Sequence, residues 1–169
     1  MSEAGPLARR LASGTPVAMT LLLLLFSVLP YGVPRFAMLC PFFALISVHF
    51  WAARRPDLLP IGAAFLIGVL SDMLRGGPLG LGALQLVLVH WLAARQARFF
   101  AREQFVAGWS GLVGSAALAG ALEWIGNALH QQILLDPRAL LLQVAMTAAI
   151  YPVFARACGG WHRWIARPA

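Results

Sequence analysis

Six apolar stretches, separated by short polar breaks, account for most of the chain. They run over about 16–33, 36–53, 58–74, 78–94, 104–129 and 139–157. Most approach the ~20 residues that carry an α-helix across ~30 Å of hydrocarbon at ~1.5 Å per residue. The third and fourth are shorter and fit a bilayer by small tilt or local thinning. The breaks have physical causes. Pro30, Gly32 and Pro34 close the first stretch. Arg54-Arg55-Pro56-Asp57 divides the second from the third, with Asp57 placed to cap the next helix and Pro60 tolerable in its first turn. Gly76-Gly77-Pro78 turns the third into the fourth, and Asp136-Pro137-Arg138 opens the sixth. The pattern predicts an all-α, polytopic membrane protein: one domain over 1–169, six transmembrane helices, and connections too short to hold a domain outside the membrane.

Composition points the same way. At 60% hydrophobic and 11% charged, the chain is more apolar than a soluble domain of 169 residues can conceal. The net charge is +7, and all 13 basic residues are arginine. Such a charge raises nucleic acid as a partner, but the arginines sit in the short breaks and form no continuous basic surface, which argues against it. Their distribution instead sets an orientation. With the N-terminus inside, Arg9, Arg10, Arg54, Arg55, Arg95, Arg98, Arg102, Arg156, Arg163 and Arg167 face the cytoplasm, and only Arg35, Arg75 and Arg138 face out. Both termini are then cytoplasmic, as an even number of spans requires. Arg9-Arg10 before an apolar run resembles an export signal, but no small-residue cleavage site follows Val28, so the first span is expected to be retained. Cys40 and Cys158 fall near opposite faces, so no disulfide is expected, and no metal-ligand spacing occurs. Residues 95–103 (RQARFFARE) and Trp161-His162-Arg163-Trp164 read as interfacial segments at the inner surface.

Two acids fall inside spans, Asp72 and Glu123, both toward the outer side. Each continues a row of small residues spaced by four: Ala64, Gly68, Asp72 in the third span, and Ala107, Gly111, Ser115, Ala119, Glu123 in the fifth. Small residues at this spacing let helices approach closely, so both acids should point into protein. The two rows are candidate docking surfaces or internal seams, the latter favoured. Asp72 has a structural reading, paired to Arg75 or bonded to the backbone of the Gly76-Gly77 turn. It also has a functional one, orienting the outer helix ends for a partner helix or ligand. Glu123 heads a polar run through Asn127, His130, Gln131 and Gln132. That run is either the wet end of the fifth span or, with Gln85 of the fourth, the lining of an outward-facing cavity for a lipid or small molecule. His49 and His90 lie near inner span ends, where interfacial placement is ordinary. Gly77-Pro78-Leu79-Gly80-Leu81-Gly82 lacks the lysine and preceding strand of a phosphate loop, and its glycines suit a turn and close packing. No catalytic constellation stands out, so neither enzymatic activity nor a cofactor or metal is expected.

One stretch has a family likeness. Ile61 to Asp72, containing Ala64-Phe65, Gly68 and Asp72 in the order A-F-x-x-G-x-x-x-D, is followed by Pro78-Leu79-Gly80. With Arg35-Phe36 and the Phe50-Trp51 pair ahead of Pro56, this resembles the MreD family of rod shape-determining proteins, most clearly over about residues 36–100. The last two spans match only in hydropathy and length. The resemblance implies a non-enzymatic scaffold of the bacterial elongation machinery in the inner membrane. It implies binding to the bitopic protein MreC, and through it a link to MreB, RodA and RodA's penicillin-binding transpeptidase. It also implies a fold similar to the substrate-binding subunits of energy-coupling-factor transporters. A small-molecule-binding transporter subunit is therefore the alternative. The residues singled out for a partner or pocket are Gly68, Asp72, Arg75, Pro78, Gly80, Gln85, Glu123 and Asn127.

Overall fold

The computed structural model describes residues 6–29, 41–99, 104–132 and 136–165, and among these it holds six α-helices and no strand. The helices are α1 (Pro6–Val28), α2 (Phe43–Arg54), α3 (Ile61–Arg75), α4 (Leu81–Phe99), α5 (Gln104–Gln131) and α6 (Pro137–Ile165). Each falls on one of the six apolar stretches, with shifted ends. α1 begins well before residue 16 and carries Pro16 inside it. α4 starts after the Pro78–Gly80 turn and continues to Phe99, so the first half of the expected interfacial segment is a helical extension of the fourth stretch. α6 likewise runs on through the Trp161–Trp164 tail. Pro30, Gly32, Pro34, Arg35 and Cys40 lie outside the described residues.

Two helix starts are resolved locally. The sixth stretch opens at Asp136-Pro137-Arg138 as expected, and Asp136 caps it: its Oδ1 accepts from the N–H of Arg138 at 2.9 Å, with Pro137 in the first helical position where its missing N–H costs nothing. Asp57 does not cap α3. Pro60 occupies the N-cap position with extended backbone and no side chain caps the helix; Asp57 lies in the turn before Leu59, too early in the chain to reach the first turn.

α2 is the enclosed centre. Every residue from Ala44 to Ala52 is buried, including Ser47 and His49. A helix apolar all round, surrounded by others, has no face for water. α4 is the hub, packing against α2, α3 and α5, with α6 on α5 and α1 on α2. The core runs through Leu24, Ile46, Phe50, Trp51, Leu59, Val89, Leu112 and Tyr151. Cross-helix contacts group at two ends. Ser27, Phe42, Arg75, Gly80 and Glu123 gather at one, and His49, Leu59, His90, Gly108 and Tyr151 toward the other. Successive helices therefore alternate in direction.

Large apolar side chains are exposed on short and long helices alike, among them Leu22 on α1, Phe65 and Leu66 on α3 and Leu141 on α6. Among the described residues, Gly108–Gln131 and Pro137–Ala157 are long and apolar enough to cross a bilayer, and less than a third of either is buried. Gly14–Val28 is apolar but shorter. α2 and α3, with 12 and 15 residues, rise only about 18 and 22 Å. α4 is long enough but is diluted by His90, Arg95, Gln96 and Arg98.

Buried polar side chains brace the helices. Thr20 and Ser47 share a hydrogen bond of 2.8 Å between α1 and α2, and Thr147 of α6 accepts from the N–H of Phe42 at 3.1 Å. His49 and His90, expected at an interface, are buried. The Nε2 of His49 meets the Gly108 carbonyl at 3.1 Å and that of His90 meets the Leu59 carbonyl at 2.8 Å. Sequence position placed them near span ends; the partner carbonyls across the bundle draw them in. Pro152, inside α6, removes the N–H that would serve the carbonyl four residues earlier. That carbonyl belongs to Ala148, and the indole Nε1 of Trp109 on α5 donates to it at 3.1 Å. Trp109 thus replaces the donor that Pro152 lacks. Trp109→Phe should cost about 1 kcal/mol in the native background and close to nothing beside Pro152→Ala, which restores the backbone donor. Thermal unfolding of the two single variants and the double variant measures that coupling.

Candidate functional site

The residues singled out from sequence converge on the α3–α4 turn. α3 ends at Gly76, whose φ of +67° is left-handed and whose N–H bonds the carbonyl of Asp72 at 3.0 Å. The chain then reverses through Pro78 and Gly80, the latter at φ +97°, and enters α4. The side chain of Asp72 reaches across this turn. Its Oδ2 accepts from the N–H of Gly80 and its Oδ1 from the N–H of Gly82, both at 2.8 Å. Neither expected partner is used: the carboxylate bonds neither Arg75 nor the Gly76-Gly77 backbone. The physical reason is that the first N–H groups of α4 are unpaired donors at the positive end of a helix dipole, a better match for a buried carboxylate than the preceding turn. Asp72, 7% exposed, is in effect the N-terminal cap of α4 supplied from α3.

Glycine makes this reach possible. A Cβ at Gly68 would lie on the backbone of Ala83, 2.6 Å from its nitrogen and from the Gly82 carbonyl oxygen. A Cβ at Gly82 would meet the Asp72 carboxylate and stand 3.1 Å from the Gly68 carbonyl oxygen. The row Ala64, Gly68, Asp72 is therefore the seam on which α4 rests. Gly111, Ser115 and Ala119 form a buried row on α5. Gly111 faces Gln96 of α4, and Ser115 lies 3.4 Å from the Nδ1 of His49.

A looser polar group lies beside the cap. Nη1 of Arg75 stands 3.8 Å from Oε1 of Glu123, and Nη2 stands 3.5 Å from the hydroxyl of Ser27 on α1. Both members of the ion pair are partly exposed, and pairs of that kind contribute about 0–1 kcal/mol. The amide Nε2 of Gln85 donates to the Ala119 carbonyl at 2.8 Å and to Oε2 of Glu123 at 3.4 Å. Arg75, Gln85 and Glu123 thus meet at one end of the bundle. Asn127 is half-buried one turn further along α5 and makes none of the described contacts, and His130, Gln131 and Gln132 are exposed. Between α2, α3 and α4 lies a cleft of about 20 Å³ lined by Phe42, Ala44, Leu45, Ser71, Arg75, Gly82, Gln85 and Leu86. That is room for one water-sized group. Ser71 was not singled out from sequence, and Gly82 only as a glycine suited to a turn and close packing. The signal for Gly82 was its place in the first turn after Gly80, ten residues beyond an acid.

The arrangement defines a class: a bundle of apolar helices whose internal polar groups join helix to helix, with a small polar recess at one end. Among the described residues no group of three or more His, Cys, Asp or Glu gathers as a metal site would. The family model described as rod shape-determining protein MreD matches residues 10–158, most of the chain, and the protein belongs to the MreD family. Its members are membrane proteins concerned with determining rod shape. No curated protein and no solved structure matches the chain.

Two substitutions probe the capped turn. Asp72→Asn keeps the shape but points an amide N–H₂ at one of two backbone donors, and should lose about 1.5–3 kcal/mol of stability. Gly68→Ala should lose about 1–3 kcal/mol by pushing α4 off α3, whereas Gly62→Ala, which meets nothing within 4 Å, should be neutral or better. Thermal unfolding in detergent compares all three.

Proposed function

We propose that this chain is a multi-pass scaffold of the bacterial inner membrane that joins a bitopic MreC-like protein to the cell-wall elongation machinery. Through that partner it acts indirectly on MreB, RodA and RodA's penicillin-binding transpeptidase, supporting lateral peptidoglycan synthesis. The observation that carries this reading is the family match across residues 10–158. Geometry supports it in two ways. Several polar side chains inside the bundle are engaged in bracing helices, as at Asp72, His49, His90 and Thr147. The large apolar side chains exposed on the outside, such as Phe65, Leu66 and Met73 on α3 and Leu141, Met146 and Val153 on α6, suit lipid tails or a partner helix. The ten-to-three arginine distribution favours six crossings with both termini cytoplasmic. Arg54 over Phe50 and Arg95 over Trp91, each 4.0 Å from the ring centroid, suit cations held at an inner interface.

The small-molecule-binding subunit of a transporter remains the second reading, favoured by the cleft at Arg75 and Gln85. A recess for one water-sized group suits part of a ligand better than enclosure of a whole nutrient.

Depletion of the protein in a rod-shaped host should round the cells, and co-expression with the host's MreC-like protein should yield a complex in mild detergent. Asp72→Leu should insert normally but weaken that complex, because α4 is no longer fixed at the capped end. Cells that stay rod-shaped, together with no complex on co-purification, would count against the scaffold.

A further inference from the structure

Three sides of α4 are taken by its neighbours. Leu86 lines the cleft shared with α2. Ala83 lies against Gly68 of α3, and His90 meets the carbonyl of Leu59 in the turn before it. Gln85 and Gln96 turn to Ala119 and Gly111 of α5. The fourth side carries the row Leu84, Leu88, Trp91 and Arg95, whose spacing keeps them on one face of a helix. Leu84 is 53% and Trp91 43% exposed, and Arg95 is exposed at the end of the row. From Leu84 to Arg95 the helix rises about 16 Å, close to half of the ~30 Å of hydrocarbon in a bilayer.

The charged end of this row is ordered by its neighbour. The guanidinium of Arg95 stands over the Trp91 ring, 4.0 Å from its centroid. Stacking fixes the guanidinium plane and leaves the N–H groups at its rim for an outside acceptor. Among the described residues no carboxylate pairs with it. Arg54 repeats the arrangement over Phe50, also at 4.0 Å. α2 and α4 run in the same direction, and Leu45 and Leu86 share the cleft near their starts. Arg54 and Arg95 each follow nine residues later, so both stand at one height, about 13 Å beyond the cleft. Two ring-stacked cations at one height mark the level at which apolar surface gives way to headgroups. Only Arg95 has an open apolar row behind it, because Phe50 is fully buried against Phe154.

We propose that this face of α4 binds one anionic phospholipid. Its phosphate meets the rim of Arg95, and an acyl chain lies along Trp91, Leu88 and Leu84. A cation at the end of an apolar row one leaflet long suits a phosphate carried on acyl chains better than a free one. An anionic headgroup suits it better than a zwitterionic one, whose own ammonium competes with Arg95 for the phosphate. The inference rests on the membrane-spanning part of the reading above and needs no partner protein.

The test titrates the full chain in a neutral detergent by native mass spectrometry. The probes are phosphatidylglycerol, phosphatidylcholine with the same chains, and inorganic phosphate. The unaltered protein should bind phosphatidylglycerol about tenfold more tightly than phosphatidylcholine, and Arg95→Gln should abolish that preference. Trp91→Leu, which keeps apolar bulk but removes the ring, should reduce it about threefold and keeps the test decisive if Arg95→Gln fails to fold. Arg138→Gln, an exposed arginine at the start of α6, should leave it unchanged. Equal affinity for the two lipids, no binding of phosphatidylglycerol, a preference that survives both substitutions, or displacement of the lipid by an equal concentration of inorganic phosphate overturns the inference. Failure to co-purify with an MreC-like protein would count against the scaffold and leave these affinities as they are, so the two readings fail separately.

Discussion

The carboxylate of Asp72 on the N–H groups of Gly80 and Gly82 is the contact on which the bundle's organisation depends. A buried carboxylate and an uncapped helix start are each costly alone, and each removes the other's cost. Because the acid sits on α3 and the donors on α4, the bond fixes the reversal between them. α4 in turn packs on α2, α3 and α5, so its placement is passed to most of the molecule. Gly68 and Gly82 are required by the same contact, since a methyl group at either would separate the two backbones.

The same principle recurs along the chain. Pro152 leaves a carbonyl without its donor, and Trp109 supplies one from α5. His49 and His90 bring ring nitrogens to carbonyls on other segments. In an apolar surrounding such bonds cannot be exchanged for water, so each becomes a fixed point between helices. The polar groups of this protein are mostly joints between apolar helices.

Much of this was legible in the sequence, and the parts that were not share a cause. The six helices follow from the apolar stretches, and the burial of Ala64, Gly68 and Asp72 follows from spacing by four. The resemblance around Ala64-Phe65 and Asp72 pointed to the family that the match over residues 10–158 establishes. Missed were bonds across long separations, such as Phe42 to Thr147 and His49 to Gly108, which no local pattern encodes. The partner of Asp72 lay closer, eight and ten residues on. It was missed because neighbours three to five residues away were the nearer choice, while the unpaired donors of the next helix carry no side-chain signature. Helix ends shifted for a related reason. Hydropathy falls at Arg95 and Arg98, but hydrogen bonding along the backbone of α4 continues past them.

Amide hydrogen exchange at Gly80 and Gly82 in the full chain tests the central contact most directly. Both amides should exchange slowly in the native protein, and that protection should vanish in Asp72→Asn while the interior of α5 around Leu112 and Ala116 stays protected. Fast exchange at both glycines in the native protein, or protection that survives the substitution, would contradict the capped turn.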